Sequence, residues 1–269
     1  MTERELAQLS LQVKEVALRA GHFLRQELGK VSSQQIEEKS LNSLVSYVDR
    51  QAEEMIVAGL QQLLPQAGFL TEEETVSQTS AEQRWIIDPL DGTTNFLFGL
   101  PCFSVSIALE SEGELVIGVV YEPNRDECFV AWRNGGAWLN DLPIRVRNND
   151  QLAKSLLATG FPYYDYSRLP GYMTLFAELA QQTTGIRRWG SAAIDLAYTA
   201  AGRYDVFFEY SLNAWDIAAG ILLVKEAGGR VSDFNGADNS LSNGEIIAGN
   251  IGIHPLLMKK IELHLLRKK

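Results

Sequence analysis

The stretch W-I-I-D-P-L-D-G-T-T-N-F, residues 85–96, runs from three apolar residues directly into two carboxylates. Residues 85–87 predict a short buried strand, and Asp88 and Asp91 follow it with a proline between them. Unpaired charges at the end of a buried strand are energetically costly. The stretch therefore predicts that a positively charged group binds beside these two carboxylates.

The second half of the stretch, Gly92, Thr93 and Thr94, predicts a seat for a phosphate group. Glycine lets the backbone come close to a ligand, and the residues after it can begin a short helix. A helix start presents free N–H groups and the positive end of the helix dipole, which suits an anion. Candidate metal ligands and a phosphate seat thus lie within a few residues, as a metal-assisted phosphatase requires.

Further carboxylates recur at the ends of predicted elements. Asp49 lies on a helix predicted over residues 45–64, Glu72 and Glu73 follow a short predicted strand, and Asp216 begins a predicted helix. Taken singly, each has a plain reading: a surface residue, a solvated turn or a helix N-cap. Taken together, they supply the oxygen ligands that a hard divalent cation such as Mg²⁺ prefers.

The histidines and cysteines give little support to a zinc or iron site. His22, His254 and His264 lie far along the chain from the carboxylates, and packing or surface roles suit them better. Cys102 and Cys128 form no C-x-x-C pair and predict buried free thiols in a reducing cytoplasm.

Composition narrows the function classes. Among the 269 residues, acidic groups outnumber basic ones by 34 to 24, which argues against a nucleic-acid partner. The charged N-terminus lacks the apolar segment of a secretory signal, and no apolar run is long enough to span a membrane.

Helical and alternating patterns predict layers of helix and sheet. Residues 2–29 predict an amphipathic helix with a capping box, residues 31–43 a hairpin or mobile loop, and residues 102–146 an antiparallel meander. Helices and strands alternate after that. Helices are predicted at 172–182, 192–202, 214–227 and 255–266, and strands at 155–159, 206–208, 230–233 and 245–248.

Three blocks resemble the signatures of the inositol monophosphatase family. Residues 85–96 are similar to the first signature, residues 215–229 to the second, and the Glu72-Glu73 pair to a third. The resemblance implies an α-β-α-β-α layered sandwich of the α/β class, in one unit over residues 1–269. We expect an N-terminal half with the metal site over about 1–147 and a C-terminal half over 148–269.

The resemblance also implies an activity: Mg²⁺-dependent hydrolysis of inositol monophosphate or a related polyol or sugar phosphate, by a homodimer with two to three ions per subunit. Glu72, Asp88 and the Leu90 carbonyl resemble the ligands of the tightest ion. Asp88, Asp91 and Asp216 resemble those of a second, and a third, weaker ion would use Glu72 and waters. If that ion is weakly held, Li⁺ is expected to replace it and inhibit.

Further roles follow from the same resemblance. The expected catalytic residues are Asp49, Thr93 and Glu73, with Asp49 and Thr93 orienting and deprotonating the attacking water. The expected phosphate-binding residues are Gly92, Thr93 and Thr94. The expected substrate-binding residues are Asp91, Gly190, Ser191, Ala192, Glu209 and Asp216, with Glu209 accepting hydrogen bonds from substrate hydroxyls.

Some alternatives stay open at this point. Many family members have Asn-Asp where this chain has Asn42-Ser43, so the contribution of loop 31–43 to the third ion is undecided. Sulfonucleotide and fructose-1,6-bisphosphate phosphatases share the metal site, and histidinol-phosphate phosphatase is a closer rival. A non-catalytic role, as a protein that binds RNA-processing or transcription machinery, is the alternative from another class.

Overall fold

The computed structural model describes residues 1–40, 43–79, 81–162 and 165–266. The helices are α1 (Glu3–Glu27), α2 (Tyr47–Leu63), α3 (Thr93–Leu97), α4 (Leu169–Gln182), α5 (Ala192–Ala200), α6 (Ala214–Glu226), α7 (Ser240–Asn243) and α8 (His254–Ile261). The strands are β1 (Glu37–Ser40), β2 (Ser43–Val45), β3 (Gly68–Thr71), β4 (Gln83–Asp91), β5 (Ser104–Ser111), β6 (Glu114–Glu122), β7 (Glu127–Trp132), β8 (Ala137–Leu139), β9 (Leu142–Ile144), β10 (Leu156–Thr159), β11 (Gly185–Arg187), β12 (Val206–Glu209), β13 (Arg230–Ser232) and β14 (Ile246–Gly249).

The first helix begins as its sequence predicts. The Thr2 hydroxyl accepts from the Glu5 N–H at 3.3 Å, and the Glu5 carboxylate accepts from the Thr2 N–H at 2.7 Å. This reciprocal capping box satisfies two N–H groups that the helix leaves without an intrahelical partner. The helix ends two residues before Gly29, which adopts a left-handed conformation (φ +78°).

Strands β3 to β9 form a seven-stranded sheet in sequence order. The β3–β4 pair is parallel and all later pairs are antiparallel, as the predicted meander requires. Successive residues of β4 face opposite sides of the sheet. Trp85 and Ile87 therefore pack with α1 and α2, whereas Ile86 packs with α5 and α6.

A second sheet lies beyond α5 and α6. It has five strands in the order β11-β10-β12-β14-β13, mixed parallel and antiparallel. Phe207 faces the α5–α6 layer, and its neighbours Val206 and Phe208 face a third core formed with α4 and α8. The order of layers is thus α, β, α, β, α, and the predicted fold class is confirmed. The division into halves near residue 147 stays a prediction.

Three predicted boundaries were wrong or incomplete. Strand β4 does not stop at Ile87 but continues to Asp91, with an irregular register between Asp88 and Asp91. Pro89 lies within that irregularity, where the missing N–H does not break a ladder bond. Residues 37–40 pair with residues 43–45 as the hairpin β1–β2, one of the two predicted alternatives for this segment, and positions 41 and 42 lie outside the described residues. The last α-helix ends at Ile261, and a π-helical turn follows to Leu266.

The described helices include none that combines the length and apolar character needed to cross a bilayer.

Candidate active site

A cavity of about 680 Å³ opens where strands of both sheets end and helices α3, α5 and α6 begin, and most of the predicted site residues line it. It is lined by polar and charged side chains as well as by backbone. The predicted residues that line it are Glu72, Asp88, Leu90, Asp91, Gly92, Thr93, Thr94, Gly190, Ser191, Ala192, Glu209 and Asp216. Two predicted residues, Asp49 and Glu73, do not line it. Asp49 contacts the lining residue Thr93, and Glu73 follows the lining residue Glu72 in the chain.

The parallel pairing of β3 with β4 explains why Glu72 and Asp88 meet. Thr71 is paired with Ile87, so Glu72 and Asp88, which follow these two residues, lie at the same edge of the sheet. The Glu72 N–H continues the ladder by donating to the Ile87 carbonyl at 3.2 Å. Sixteen positions of separation in sequence thus become a side-by-side pair, because parallel strands bring corresponding ends together.

Four carboxylates at this edge interact strongly. Burial raises the pKa of Asp88 well above its ordinary range, and the nearby charges of Glu72 and Asp91 raise it further. Burial raises the pKa of Asp216 in the same way, with added repulsion from Asp91 and Glu72. Burial raises the pKa of Asp91 to about 6, although hydrogen bonds to it from Ser191 and from the start of α5 lower it. Burial away from water is the main physical cause, and like charges sharing one site add to it.

The protein fixes one oxygen of three of these aspartates. Asp88 Oδ1 accepts the Leu90 N–H at 2.9 Å. Asp91 Oδ2 accepts the Ala193 N–H at 2.8 Å and the Ser191 hydroxyl at 2.5 Å, which ties β4 to the start of α5. Asp216 Oδ2 accepts the N–H of Asn213 at 2.6 Å, so Asp216 is the third residue of a capping box and not the N-cap. These bonds orient each carboxylate toward the cavity.

The donor set suits a hard divalent cation. Its members are carboxylate and carbonyl oxygens, the ligands of Mg²⁺ and similar ions. Within the described part of the chain, no three His, Cys, Asp or Glu side chains already surround one point as a closed ligand set. Mutual repulsion favours separated carboxylates, and a bound cation would favour their convergence. Burial is the main cause of the raised pKa values of Asp88, Asp91 and Asp216, and repulsion between neighbouring carboxylates adds to it, so a bound cation would offset both effects.

Asp49 and Thr93 form a direct pair across two elements. The Thr93 hydroxyl lies 3.0 Å from Asp49 Oδ1 and 3.0 Å from the Leu90 carbonyl. Asp49 is buried on the first turn of α2, where its Oδ2 accepts the N–H and hydroxyl of Ser46, both at 2.8 Å. Burial raises the pKa of Asp49, and the hydrogen bonds from Ser46 and Thr93 partly counter this. The pair has the geometry of a base and a relay hydroxyl.

The backbone at Gly92 is held close to two other segments. Gly92 adopts a left-handed conformation (φ +92°), and a Cβ there would lie 3.0 Å from the Cys102 carbonyl and 3.2 Å from that of Gly190. Asn95 braces the same place, because its Nδ2 donates to the Cys102 carbonyl at 2.7 Å and to the Trp189 carbonyl at 2.8 Å. The start of α3 is therefore fixed against the Gly190 segment on the far wall.

Glu209 stands on the wall opposite the aspartates. It is buried at the end of β12, and its oxygens lie 2.1 Å from where a Cβ of Gly160 would be, so a side chain at position 160 would displace the Glu209 carboxylate. Burial raises the pKa of Glu209 well above its ordinary range, and the Arg188 guanidinium opposes that shift. This wall, with Arg188 and the Gly190 segment, offers both hydrogen-bond acceptors and a positive charge.

Two buried carboxylates near the cavity, Glu53 and Asp195, were not predicted from the sequence. Glu53 is fully buried on α2 and binds the segment that carries Glu72 and Glu73, including the Glu73 N–H at 2.8 Å. Its only signal in the sequence was its spacing of one helical turn from Asp49. Asp195 lines the cavity on α5, and its buried Oδ1 accepts no hydrogen bond within the described residues. An acid in a first helical turn looked ordinary in the sequence.

His254 and the two cysteines behave as packing residues, whereas His264 pairs with the Glu178 carboxylate. His254 is buried against the Ser232 hydroxyl at 3.0 Å, and burial lowers its pKa to about 4, so it is neutral at physiological pH. The side chains of Cys102 and Cys128 are buried free thiols, as predicted. None of the three histidines is among the described residues that line the cavity.

Comparison with known proteins places the chain in a family. The model of the inositol monophosphatase family matches residues 5–266, nearly the whole chain. The chain belongs to the inositol monophosphatase family. The predicted resemblance is thereby confirmed, and the family is generally metal-dependent.

The relatives carry two kinds of name. An inositol-1-monophosphatase of Mesorhizobium japonicum is 44% identical over 249 residues, covering 92% of this chain and 94% of the relative. A protein of Pseudomonas aeruginosa named Nus factor SuhB is 45% identical over 259 residues, covering 93% and 96%. The crystal structure of the extragenic suppressor protein suhB from Bartonella henselae superimposes with a TM-score of 0.90 at 42% identity, covering 95% and 98%. These family members thus include one named as an enzyme and two named otherwise.

Proposed function

We propose that this chain is a Mg²⁺-dependent phosphomonoesterase that hydrolyses inositol monophosphate or a related polyol or sugar phosphate. The observation that carries the proposal is the meeting of two features in one cavity. One is the edge of buried carboxylates around Asp88, and the other is the Thr93–Asp49 hydrogen bond beside the left-handed turn at Gly92. Their combination supports hydrolysis better than a purely structural cluster of acids, because repelling buried carboxylates are costly without a function.

Two to three Mg²⁺ ions would be held by Glu72, Asp88, the Leu90 carbonyl, Asp91 and Asp216. When bound, the ions neutralise phosphate charge and make a coordinated water more acidic. The oxygens of Asp88, Asp91 and Asp216 that the protein already fixes keep these side chains in place for that role.

The proton pathway uses the chain's own groups. The Thr93 hydroxyl orients the attacking water and passes its proton toward Asp49 Oδ1, which lies 3.0 Å from the Thr93 oxygen. A buried aspartate with a raised pKa accepts a proton more readily than an exposed one. Glu73 is next to Glu72 in the chain and stays a proposed catalytic residue, although, like Asp49, it does not itself line the cavity.

Substrate recognition falls to the opposite wall. The backbone of Gly92, Thr93 and Thr94 would hold the phosphate. Glu209 and the segment from Gly190 to Ala192 would face the hydroxyls of the alcohol. A carboxylate acceptor opposite the phosphate seat favours an alcohol rich in hydroxyls over one with none.

A panel of phosphate esters assayed with Mg²⁺ tests the proposal. Inositol 1-phosphate and glycerol 2-phosphate should be hydrolysed, and excess EDTA should abolish turnover until Mg²⁺ is restored. Faster hydrolysis of histidinol phosphate, a sugar bisphosphate or a 3′-phosphorylated sulfonucleotide would replace the polyol assignment with one of those rivals. Full turnover in excess EDTA would contradict the metal-dependent mechanism.

The relatives named Nus factor SuhB favour one other function, a non-catalytic role through a protein partner. The phosphatase-deficient variant Asp88→Asn separates the two, because Asp88 belongs to the proposed ligand set. If that variant restores the phenotype of a strain that lacks the gene, the protein-binding role accounts for the phenotype. If only the active protein restores it, hydrolysis does.

Four further properties belong to the same proposal. A homodimer is supported by the exposed apolar side chains of Phe98 and Leu100, and light scattering would measure it. A cytoplasmic location is supported by the buried free thiols of Cys102 and Cys128, and the acidic net charge of -10 supports a protein without nucleic-acid partners. Li⁺ at roughly tens of millimolar, comparable to ordinary buffer ionic strengths, should inhibit the phosphatase. Unchanged activity in Li⁺ would remove lithium sensitivity from the proposal.

A further inference from the structure

The carboxylate of Glu53 is the centre of a dense hydrogen-bond network beneath the metal-binding edge. Its Oε1 accepts the Thr71 hydroxyl at 2.8 Å, the Thr75 N–H at 2.8 Å and the Thr75 hydroxyl at 2.7 Å. Its Oε2 accepts the Glu73 N–H at 2.8 Å. Four donors thus converge on one fully buried side chain. An ionised carboxylate suits this place because it accepts only and has room for about four hydrogen bonds.

The network encloses Glu72 from both sides. Thr71 precedes Glu72, Glu73 follows it, and all the donors to Glu53 belong to residues 71–75. Glu74, within the same turn, adopts a left-handed conformation (φ +53°), which a non-glycine residue rarely takes without support. The Glu53 carboxylate therefore holds this turn through four hydrogen bonds, beside those that Gln78 and the Ile87 carbonyl make with it.

The helix that carries Glu53 also carries Asp49. The two residues are four positions apart on α2 and share one face, since residues at that spacing lie one above the other. One contacts Thr93, and the other contacts the turn of Glu72. Helix α2 therefore fixes the position of Asp49 relative to the turn that carries Glu72.

We propose that Glu53 is a positioning residue for the metal centre, holding the turn 71–75 so that the Glu72 carboxylate faces Asp88. This inference rests on the proposed function. Groups that orient metal ligands commonly change metal affinity by about 10–100-fold when they are removed.

Glu53→Gln is the sharpest test, because it keeps the size of the side chain but replaces one acceptor oxygen with a donor NH₂. At least one N–H or hydroxyl of residues 71–75 then faces a donor. The Mn²⁺ dissociation constant, measured on the purified protein by electron paramagnetic resonance of free Mn²⁺, should rise about 10–100-fold. The Mg²⁺ concentration for half-maximal activity should rise in parallel, and kcat at saturating Mg²⁺ should change far less.

Asp233→Asn is the matched control. Asp233 is another buried carboxylate that organises a turn, accepting the N–H groups of Asn235 and Ala237 and the amide of Asn243. It does not line the cavity. Its variant should lose thermal stability and keep its Mn²⁺ affinity. Equal weakening of Mn²⁺ binding in both variants would show that Glu53 acts only through general stability.

A double-mutant cycle tests whether Glu53 acts through Glu72. In a Glu72→Gln background, adding Glu53→Gln should weaken Mn²⁺ binding little further, because coupled residues are not additive. Full additivity would overturn the proposal. If Glu53→Gln does not fold, Thr71→Val removes one donor to Glu53, together with the acceptor of Gln78 Nε2, with little change in volume, and it should weaken Mn²⁺ binding in the same direction.

The outcomes distinguish this inference from the proposed function. A wild-type protein that binds no Mn²⁺ and hydrolyses no phosphate ester would refute the proposed function itself. A wild-type protein that does both, beside a Glu53→Gln variant with unchanged Mn²⁺ affinity, would refute the positioning role alone.

Discussion

Replacing Thr93 with alanine should separate the chemical step from substrate binding. The change removes one hydroxyl that lies 3.0 Å from Asp49 Oδ1 and 3.0 Å from the Leu90 carbonyl. It leaves the carboxylates, the Gly92 turn and the opposite wall in place. The phosphate ester should therefore still bind, while the attacking water loses the group that orients it and relays its proton.

The size of the kinetic effect follows from that role. Positioned acid–base groups contribute roughly 10²–10⁴-fold to rate, and kcat should fall by about this factor. At about 1.4 kcal/mol for each factor of ten, this corresponds to roughly 3–5 kcal/mol in the barrier. KM should change little, because the hydroxyl acts on the water and not on the ester.

The size of the stability effect is separate and smaller. The single hydroxyl proton can satisfy one acceptor at a time, and a hydrogen bond to a charged group contributes about 1.5–3 kcal/mol. Thr93 is half-buried, so water replaces part of this contribution. For a chain of this size, each 1 kcal/mol lowers Tm by about 2–4 °C, and the variant should remain folded at assay temperature.

Steady-state kinetics on inositol 1-phosphate and glycerol 2-phosphate at saturating Mg²⁺ provide the assay. Thr93→Ser keeps the hydroxyl and should retain most of the activity. Thr174→Ala removes a threonine hydroxyl on α4, which donates to the Pro170 carbonyl outside the cavity, and should leave kinetics unchanged. A Thr93→Ala enzyme with normal kcat and raised KM would refute the reasoning, because Thr93 would then act on the substrate.

Three other results are expected. Glu209→Gln should raise KM for inositol 1-phosphate more than for glycerol 2-phosphate, and an equal fall in kcat on both esters would argue against recognition of hydroxyls. Gly160→Ala should disturb the same ranking of esters, since the added methyl would lie 2.1 Å from the Glu209 oxygens, and unaltered kinetics would show that the wall adapts. Burial and repulsion raise the pKa values of Asp88, Asp91 and Asp216 in the folded protein, to about 6 for Asp91. Because these pKa values are higher in the folded than in the unfolded protein, the folded state is relatively more stable when the carboxyls are protonated. This stability is fully present below about pH 4 and is lost as the pH rises through about 6 and above. The Tm gain on adding Mg²⁺ to EDTA-treated protein should thus be larger at pH 8 than at pH 5 by scanning fluorimetry, and an equal gain would contradict the charge cluster. His254, whose pKa burial lowers to about 4, is neutral at both pH 5 and pH 8 and does not contribute to this difference.

Local chemistry made most elements of the fold predictable. The Thr2–Glu5 capping box and the alternation of Trp85, Ile86 and Ile87 depend on neighbouring residues only, and the structure has both. The extension of β4 to Asp91 was not predictable in this way. It depends on Ser104, which pairs with Asp91 across a register irregularity that accommodates Pro89.

The residue types of the candidate site were predictable from the sequence, but the contacts between these residues were not. The resemblance named Asp49 and Thr93, which are 44 positions apart and meet only because α2 and α3 pack at the same end of the sheet. Glu53 and Asp195 were missed because a single acid on a helix has no pattern that distinguishes a buried network from a solvated surface. Only the burial of Glu53 and Asp195 in the folded protein distinguishes them from solvated surface acids.

The opposition of the two walls has an evolutionary consequence. The proposed hydrolytic groups come mainly from β4 and α3, and the proposed hydroxyl-binding wall comes from β12 and the start of α5. Substitutions in the second group can redirect the enzyme to a different alcohol while the first group stays unaltered. Asn95 and Asp91 are exceptions, because both join the two groups. Asn95 does so through the Cys102 and Trp189 carbonyls and Asp91 through Ser191 and the Ala193 N–H, so substitution at either position would disturb reaction and selectivity together.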